Sequence, residues 1–169
     1  TALLPTLSRL AHEVKPNLIH DQLVKAMRLV GLITVPSAIA FLLFGRLMTE
    51  TLYFGISVED SNYLGYTLSA LALGLMPMSV NLIALRGLNA FENVKLQVLS
   101  NAIMNIVAVI VSIAVALSLP AKWVTIGLAG SLALSYFFGA WSTIYLLKRY
   151  EIYISIREVF GFYLKLTVL

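Results

Sequence analysis

Four long stretches of the chain carry no charge at all: Leu29 to Gly45, Ser61 to Leu85, Leu96 to Ala121 and Trp123 to Leu147. A helix needs about 20 apolar residues to cross a hydrocarbon layer roughly 30 Å thick, so each stretch reads as a membrane span. The first is the shortest, but Arg46 and Glu50 follow it four residues apart. They can pair and reach toward water while Leu47, Leu52, Tyr53 and Phe54 prolong the helix. The expected spans are therefore 29–54, 61–85, 96–121 and 123–147. Residues 1–8 read as the end of a preceding helix and 159–169 as the start of a further one, which leaves truncated spans at both ends.

The connections have patterns of their own. In "HEVKPNLIHDQLVKAM" (12–27) the chain breaks at Pro16-Asn17, then spaces Ile19, Leu23 and Met27 four apart beside Asp21 and Lys25. This predicts a cytoplasmic amphipathic helix over 12–27, lying on the lipid surface and leading into the first span. Ser155 and Glu158 have the spacing of a capping box, which predicts a helix start at that point.

Composition agrees with the pattern. Of 169 residues 60% are apolar and 12% charged, against about 25% charged in soluble domains. The fold class is all-α, a polytopic transmembrane helix bundle. Nine of the eleven Lys and Arg residues from Arg9 to Arg157 fall in the alternate segments 9–28, 86–95 and 148–157, whereas the Glu59-Asp60 loop has none. By the positive-inside rule those three segments are cytoplasmic. Topology thus accounts for the net charge of +4, and no nucleic-acid partner is implied.

Chemistry is sparse. The chain has no cysteine. His12 and His20 lie in a polar connection with no further ligands at a metal-binding spacing, so neither a metal nor another cofactor is expected. No charged residue sits in the middle of a span, and no phosphate loop or nucleophile elbow is present; the segment does not read as an enzyme. The informative residues are uncharged. Gln97, Asn101 and Asn105 recur every four residues with Ser112 extending their face, which suits either interhelical hydrogen bonding or the wall of a polar cavity. Gly127, Ser131, Ser135, Gly139 and Thr143 form a ladder of small residues, the pattern of a close helix-packing seam. Pro36 and Pro77 lie inside spans and free the carbonyls of Leu32 and Leu73, so both are candidate hinges.

Four stretches in order, "TALLPTLSR" (1–9), "RLVGLITVPSA" (28–38), Gly-x4-Asp (55–60) and "ALRGLNAFENVKLQ" (84–97), resemble the middle of the second lobe of the MurJ/MviN family. These are lipid II flippases of the multidrug/oligosaccharidyl-lipid/polysaccharide exporter superfamily. In the cytoplasmic connection the chain has Leu88-Asn89-Ala90, Asn93 and Leu96-Gln97 where the family reads Phe-Tyr-Ala, an acidic residue and Thr-Pro. The resemblance implies part of a larger two-lobed exporter in the bacterial cytoplasmic membrane, working by alternating access on an undecaprenyl-diphosphate-linked muropeptide. Membrane lipids and cell-wall synthesis proteins are the implied partners. Arg9 and Arg86 become candidates to meet the diphosphate, with Asn101 and Asn105 as candidate substrate contacts. A drug or polysaccharide exporter of the same superfamily, or a non-transporting scaffold for wall synthesis, would share this pattern.

Overall fold

A computed structural model describes residues 3–13, 15–53 and 55–168. Residues 1 and 2 of the expected preceding helix, Phe54 of the first span and Leu169 of the last lie outside the described residues, as does the side chain of His12. The elements are α1 (Leu3–His12), α2 (Pro16–Leu52), α3 (Val58–Ala90), α4 (Val94–Ser118), α5 (Ala121–Leu147), a 3₁₀ turn at Lys148–Tyr150 and α6 (Ile156–Val168). Four helices are long and apolar enough to cross a membrane. The molecule is an all-α membrane bundle.

Helix ends follow local chemistry. Ser57 Oγ accepts from the Asp60 backbone N–H at 3.1 Å, and Glu59 and Asp60 lie in the first turn of α3, where the helix dipole favours negative charge. Asn93 Oδ1 accepts from the Leu96 N–H at 3.3 Å to open α4. At α6 the Glu158 N–H reaches the Ser155 carbonyl at 3.0 Å, so the helix starts where the Ser155/Glu158 spacing places it.

The expected boundary between a surface helix and the first span does not exist. α2 runs unbroken for 37 residues, about 55 Å at 1.5 Å per residue. Pro16 stands in its first turn, where its missing N–H is no loss, and nothing between Met27 and Leu29 can end a helix. The stripe expected to meet lipid faces protein: Ile19, Leu23 and Met27 are 1%, 0% and 0% exposed. They belong to one core cluster with Leu7 and Leu10 of α1, Leu88 of α3 and Leu147 of α5. The apolar period specified a buried face but not what buries it.

α3 packs on both α2 and α5, α4 packs mainly on α5, α1 lies against α2 and α3, and α6 lies against α2. Close approach requires small residues at the crossings. A Cβ on Gly65 would stand 2.9 Å from the Arg46 Cα, so only glycine lets α3 meet α2 there. Of the ladder on α5, Ser131, Ser135, Gly139 and Thr143 are buried and Gly127 is half-buried, as a packing seam requires. Both prolines lie within helices that continue past them: Pro36 is exposed in α2, and Pro77 is buried in α3. Near Pro36 the hydroxyls of Thr34 and Ser37 donate to the carbonyls of Val30 and Ile33.

A polar knot joins three helices. Thr143 Oγ1 donates to Asn81 Oδ1 at 2.8 Å and lies 2.5 Å from Ser100 Oγ. Ser100 is 3.1 Å from Ser142, and Asn81 Nδ2 points at Met104 S at 3.6 Å. Asn81, Ser100, Ser142 and Thr143 are all buried, so each polar atom needs a partner within the protein.

A second tie holds α6. The Tyr163 hydroxyl donates to the Met27 carbonyl at 2.9 Å, and the ring lies so close to α2 that a Cβ on Gly31 would come within 2.3 Å of it. Two outcomes follow. Thr143→Val should destabilise the protein by about 0.6–1.7 kcal/mol, read as a lower unfolding midpoint in detergent, whereas Thr143→Ser should retain most of the wild-type midpoint. Gly31→Ala should cost about 1–3 kcal/mol by overpacking, and pairing it with Tyr163→Leu should recover part of that loss.

Candidate functional site

The Lys/Arg-rich segments converge at one end of the bundle. There the start of α2, the end of α3 and the turn after α5 meet, and the rings of Phe91 and Tyr150 stack at 3.9 Å with an 8° interplanar angle. Asn93 Nδ2 donates to the Tyr150 hydroxyl at 2.8 Å, fixing the α3–α4 connection against the same turn. At the opposite end Thr49 Oγ1 bonds the Ser61 carbonyl at 3.0 Å, Arg46 pairs with Glu50 at 2.8 Å and Lys122 pairs with Glu59 at 2.5 Å. Both bases at that end are paired with acids, whereas at the basic end most bases make no ion pair among the described residues.

Between α2 and α3 runs a groove of about 420 Å³. Ala26, Val30 and Thr34 form its α2 wall, one helical turn apart, so a single face of α2 lines it. Leu75, Met78, Ser79, Leu82 and Ile83 form the α3 wall, and Arg86 closes it at the basic end. The groove is apolar along its length and cationic at its mouth. Arg86 is exposed and makes no ion pair among the described residues. Ser79 is held from behind, its hydroxyl donating to the Met76 carbonyl at 2.8 Å and lying 3.5 Å from that of Tyr163. The wall is thus built on the helix-to-helix tie that anchors α6.

The depth of Arg86 in the bundle can be read from cross-links between α3 and α5. These helices run parallel, with Glu59 tied to Lys122 and Asn81 to Thr143. Arg86 lies five residues past Asn81, about 7.5 Å further toward the basic end. An amphiphile with its chain between Leu75 and Ile83 would bring a phosphate to Arg86, where a guanidinium can meet it with two parallel hydrogen bonds.

A second hollow, about 280 Å³, is lined at the basic end by Lys15, Phe91, Arg149, Tyr150 and Glu151 among others. It is a poorer anion site. Lys15 Nζ is 2.6 Å from Glu13, a hydrogen bond that holds the Glu13 carboxyl below the ordinary carboxylate range, and the acid Glu151 shares the lining with Arg149.

The residues singled out from sequence do not form one constellation. Arg86 lines the α2–α3 groove; Arg9, Asn101 and Asn105 do not. The Arg9 side chain is 73% exposed and 3.9 Å from Glu13. Asn101 is half-buried and Asn105 exposed, while Ser100, one residue away, is the buried polar group of α4. Ser112 does face inward, 2.8 Å from Ser131. The period-four reading followed the larger amides and passed over Asn81 and Ser100, which the sequence does not set apart from Asn62 or Ser112. Among the described residues no group of three or more His, Asp or Glu could hold a metal.

Comparison with curated proteins and with solved structures gives no match. A family model described as Lipid II flippase MurJ matches residues 1–169, the whole of the chain. The four helices long and apolar enough to span a membrane agree with that match, and the chain belongs to the MurJ lipid II flippase family.

Proposed function

We propose that this chain is part of the second lobe of a flippase that carries a lipid-linked peptidoglycan precursor across the bacterial cytoplasmic membrane by alternating access. The observation that carries the reading, beside the family match, is the unpaired Arg86 at the mouth of the apolar α2–α3 groove. A diphosphate stripped of water without a cationic partner would be prohibitively costly in a membrane, and a guanidinium at that depth offers the missing charge. Arg9, exposed at the same end, is a second base for the diphosphate. The basic end faces the cytoplasm in this reading, where the precursor is loaded. A membrane potential positive outside then favours outward movement of a negative head group by about 2.3 kcal/mol per charge per 100 mV.

Pro36 and Pro77 serve as hinges. Pro77 fits because its near neighbours Leu75 and Met78 line both the α2–α3 groove and an adjoining hollow of about 230 Å³ between α3 and α5. A bend there would narrow one as it widens the other.

Arg86→Gln in the full-length protein should lower precursor flux about tenfold or more, the cost of losing a charge-assisted hydrogen bond, with folded yield unchanged; Arg86→Lys should keep part of the flux. Normal flux in Arg86→Gln would remove the groove from the substrate's path. Pro77→Ala should reduce flux more than folded yield, and equal losses would make that proline purely structural. Orientation has its own test in a cysteine-free background. Val58→Cys should react with an impermeant maleimide outside intact cells, and Lys95→Cys only after permeabilisation.

A further inference from the structure

α5 carries its two tryptophans at opposite ends. Trp123 and Trp141 are 18 positions apart on one helix, about 27 Å at 1.5 Å per residue, which nearly equals a hydrocarbon layer of roughly 30 Å. Both rings are open to the outside of the bundle, 46% and 52% exposed. Indole rings so placed occupy the two membrane–water boundaries.

The two ends differ in charge. Beside Trp123, whose ring is 6.1 Å from that of Tyr63, Lys122 is neutralised by Glu59. Beside Trp141 nothing neutralises the base. Trp141 stacks on Tyr145 at 6.1 Å and 21°, and Lys148 Nζ lies 5.4 Å from the centre of the Tyr145 ring. Positions 141, 145 and 148 are successive turns of one helical face. Tyr145 is 59% exposed, and Lys148 makes no ion pair among the described residues. Below Trp141, Phe137 and Phe160 of α6 meet edge to face at 6.2 Å and line a small apolar cleft between α5 and α6 with Trp141.

We propose that Trp141, Tyr145 and Lys148 form a seat for the head group of an anionic phospholipid on the basic side of the membrane. The ammonium of Lys148, steadied over the phenol ring, meets the phosphate. The indole and phenol lie at the glycerol level, and an acyl chain descends along the exposed face of Phe137. This site is on a different helix from the α2–α3 groove and does not depend on what that groove carries.

The test uses the full-length protein with Trp141 as its sole tryptophan, reconstituted into phosphatidylcholine vesicles containing a fixed minor fraction of chain-brominated phosphatidylglycerol or chain-brominated phosphatidylcholine. Quenching of Trp141 should report about fivefold enrichment of the anionic lipid, the effect of one base near a membrane surface. The enrichment should fall as ionic strength rises. Lys148→Gln should abolish it with helical content unchanged, Lys148→Arg should retain it, and Arg149→Gln should leave it in place. Equal quenching by the two lipids, or preference surviving Lys148→Gln, would overturn the proposal. So would a Trp141 that neither lipid quenches, since that face would then be covered by protein.

Discussion

The bundle depends on how closely α5 can approach its neighbours. Apolar side chains are as content in lipid as in a protein interior, so hydrophobicity alone does not hold membrane helices together; close van der Waals contact and interhelical hydrogen bonds do. The α5 seam supplies both. Small residues at Ser131, Ser135 and Gly139 admit α3 and α4, and a Cβ on Gly139 would already press on Met104 and the Asn81 amide, at 3.1 and 3.2 Å. The approach brings Thr143 within reach of Asn81 and Ser100 at once. Removing the small residues would leave three polar side chains buried without partners.

That constraint propagates to the groove. With α3 fixed to α5 through Asn81, its other face is presented to α2, and the glycine crossing at Gly65 sets how near α2 can come. The two helices touch at the crossing and open into a groove toward the basic end. Tyr163 then braces that region, tied to Met27 of α2 and reaching Ser79 of α3. The groove wall and the attachment of α6 share an anchor, so movement of α6 would be felt at Ser79.

The distribution of charge has a similar economy. At one end acids and bases cancel in Arg46–Glu50 and Lys122–Glu59. At the other, Arg86 of α3 and Lys148 after α5 make no ion pair among the described residues, one lying beside an apolar groove and one above an aromatic ring. In each the cation lies next to a surface that suits hydrocarbon, which is the arrangement that phosphate-bearing lipids match.

Much of this was legible in the sequence because the bilayer imposes its own rules. Charge-free stretches announce spanning helices, alternating basic connections announce which ends of the spans lie together, and the ladder from Ser131 to Thr143 announces a packing seam; each is a local pattern with one physical meaning. The sequence could not say what an apolar stripe faces, so Ile19, Leu23 and Met27 pointed to lipid until the fold showed α1, α3 and α5 covering them. Nor could it choose among polar residues in one helix. Asn101 and Asn105 stood out by size and spacing, yet Ser100 carries the buried bonds, because a helix's rotation about its axis is set by its partner and not by its own composition. Arg86 was visible as a base near a helix end, but only the crossing of α2 and α3 placed an apolar groove beside it. Identity and periodicity are properties of one strand of chain; which surfaces meet depends on residues distant in sequence, and only tertiary packing brings those together.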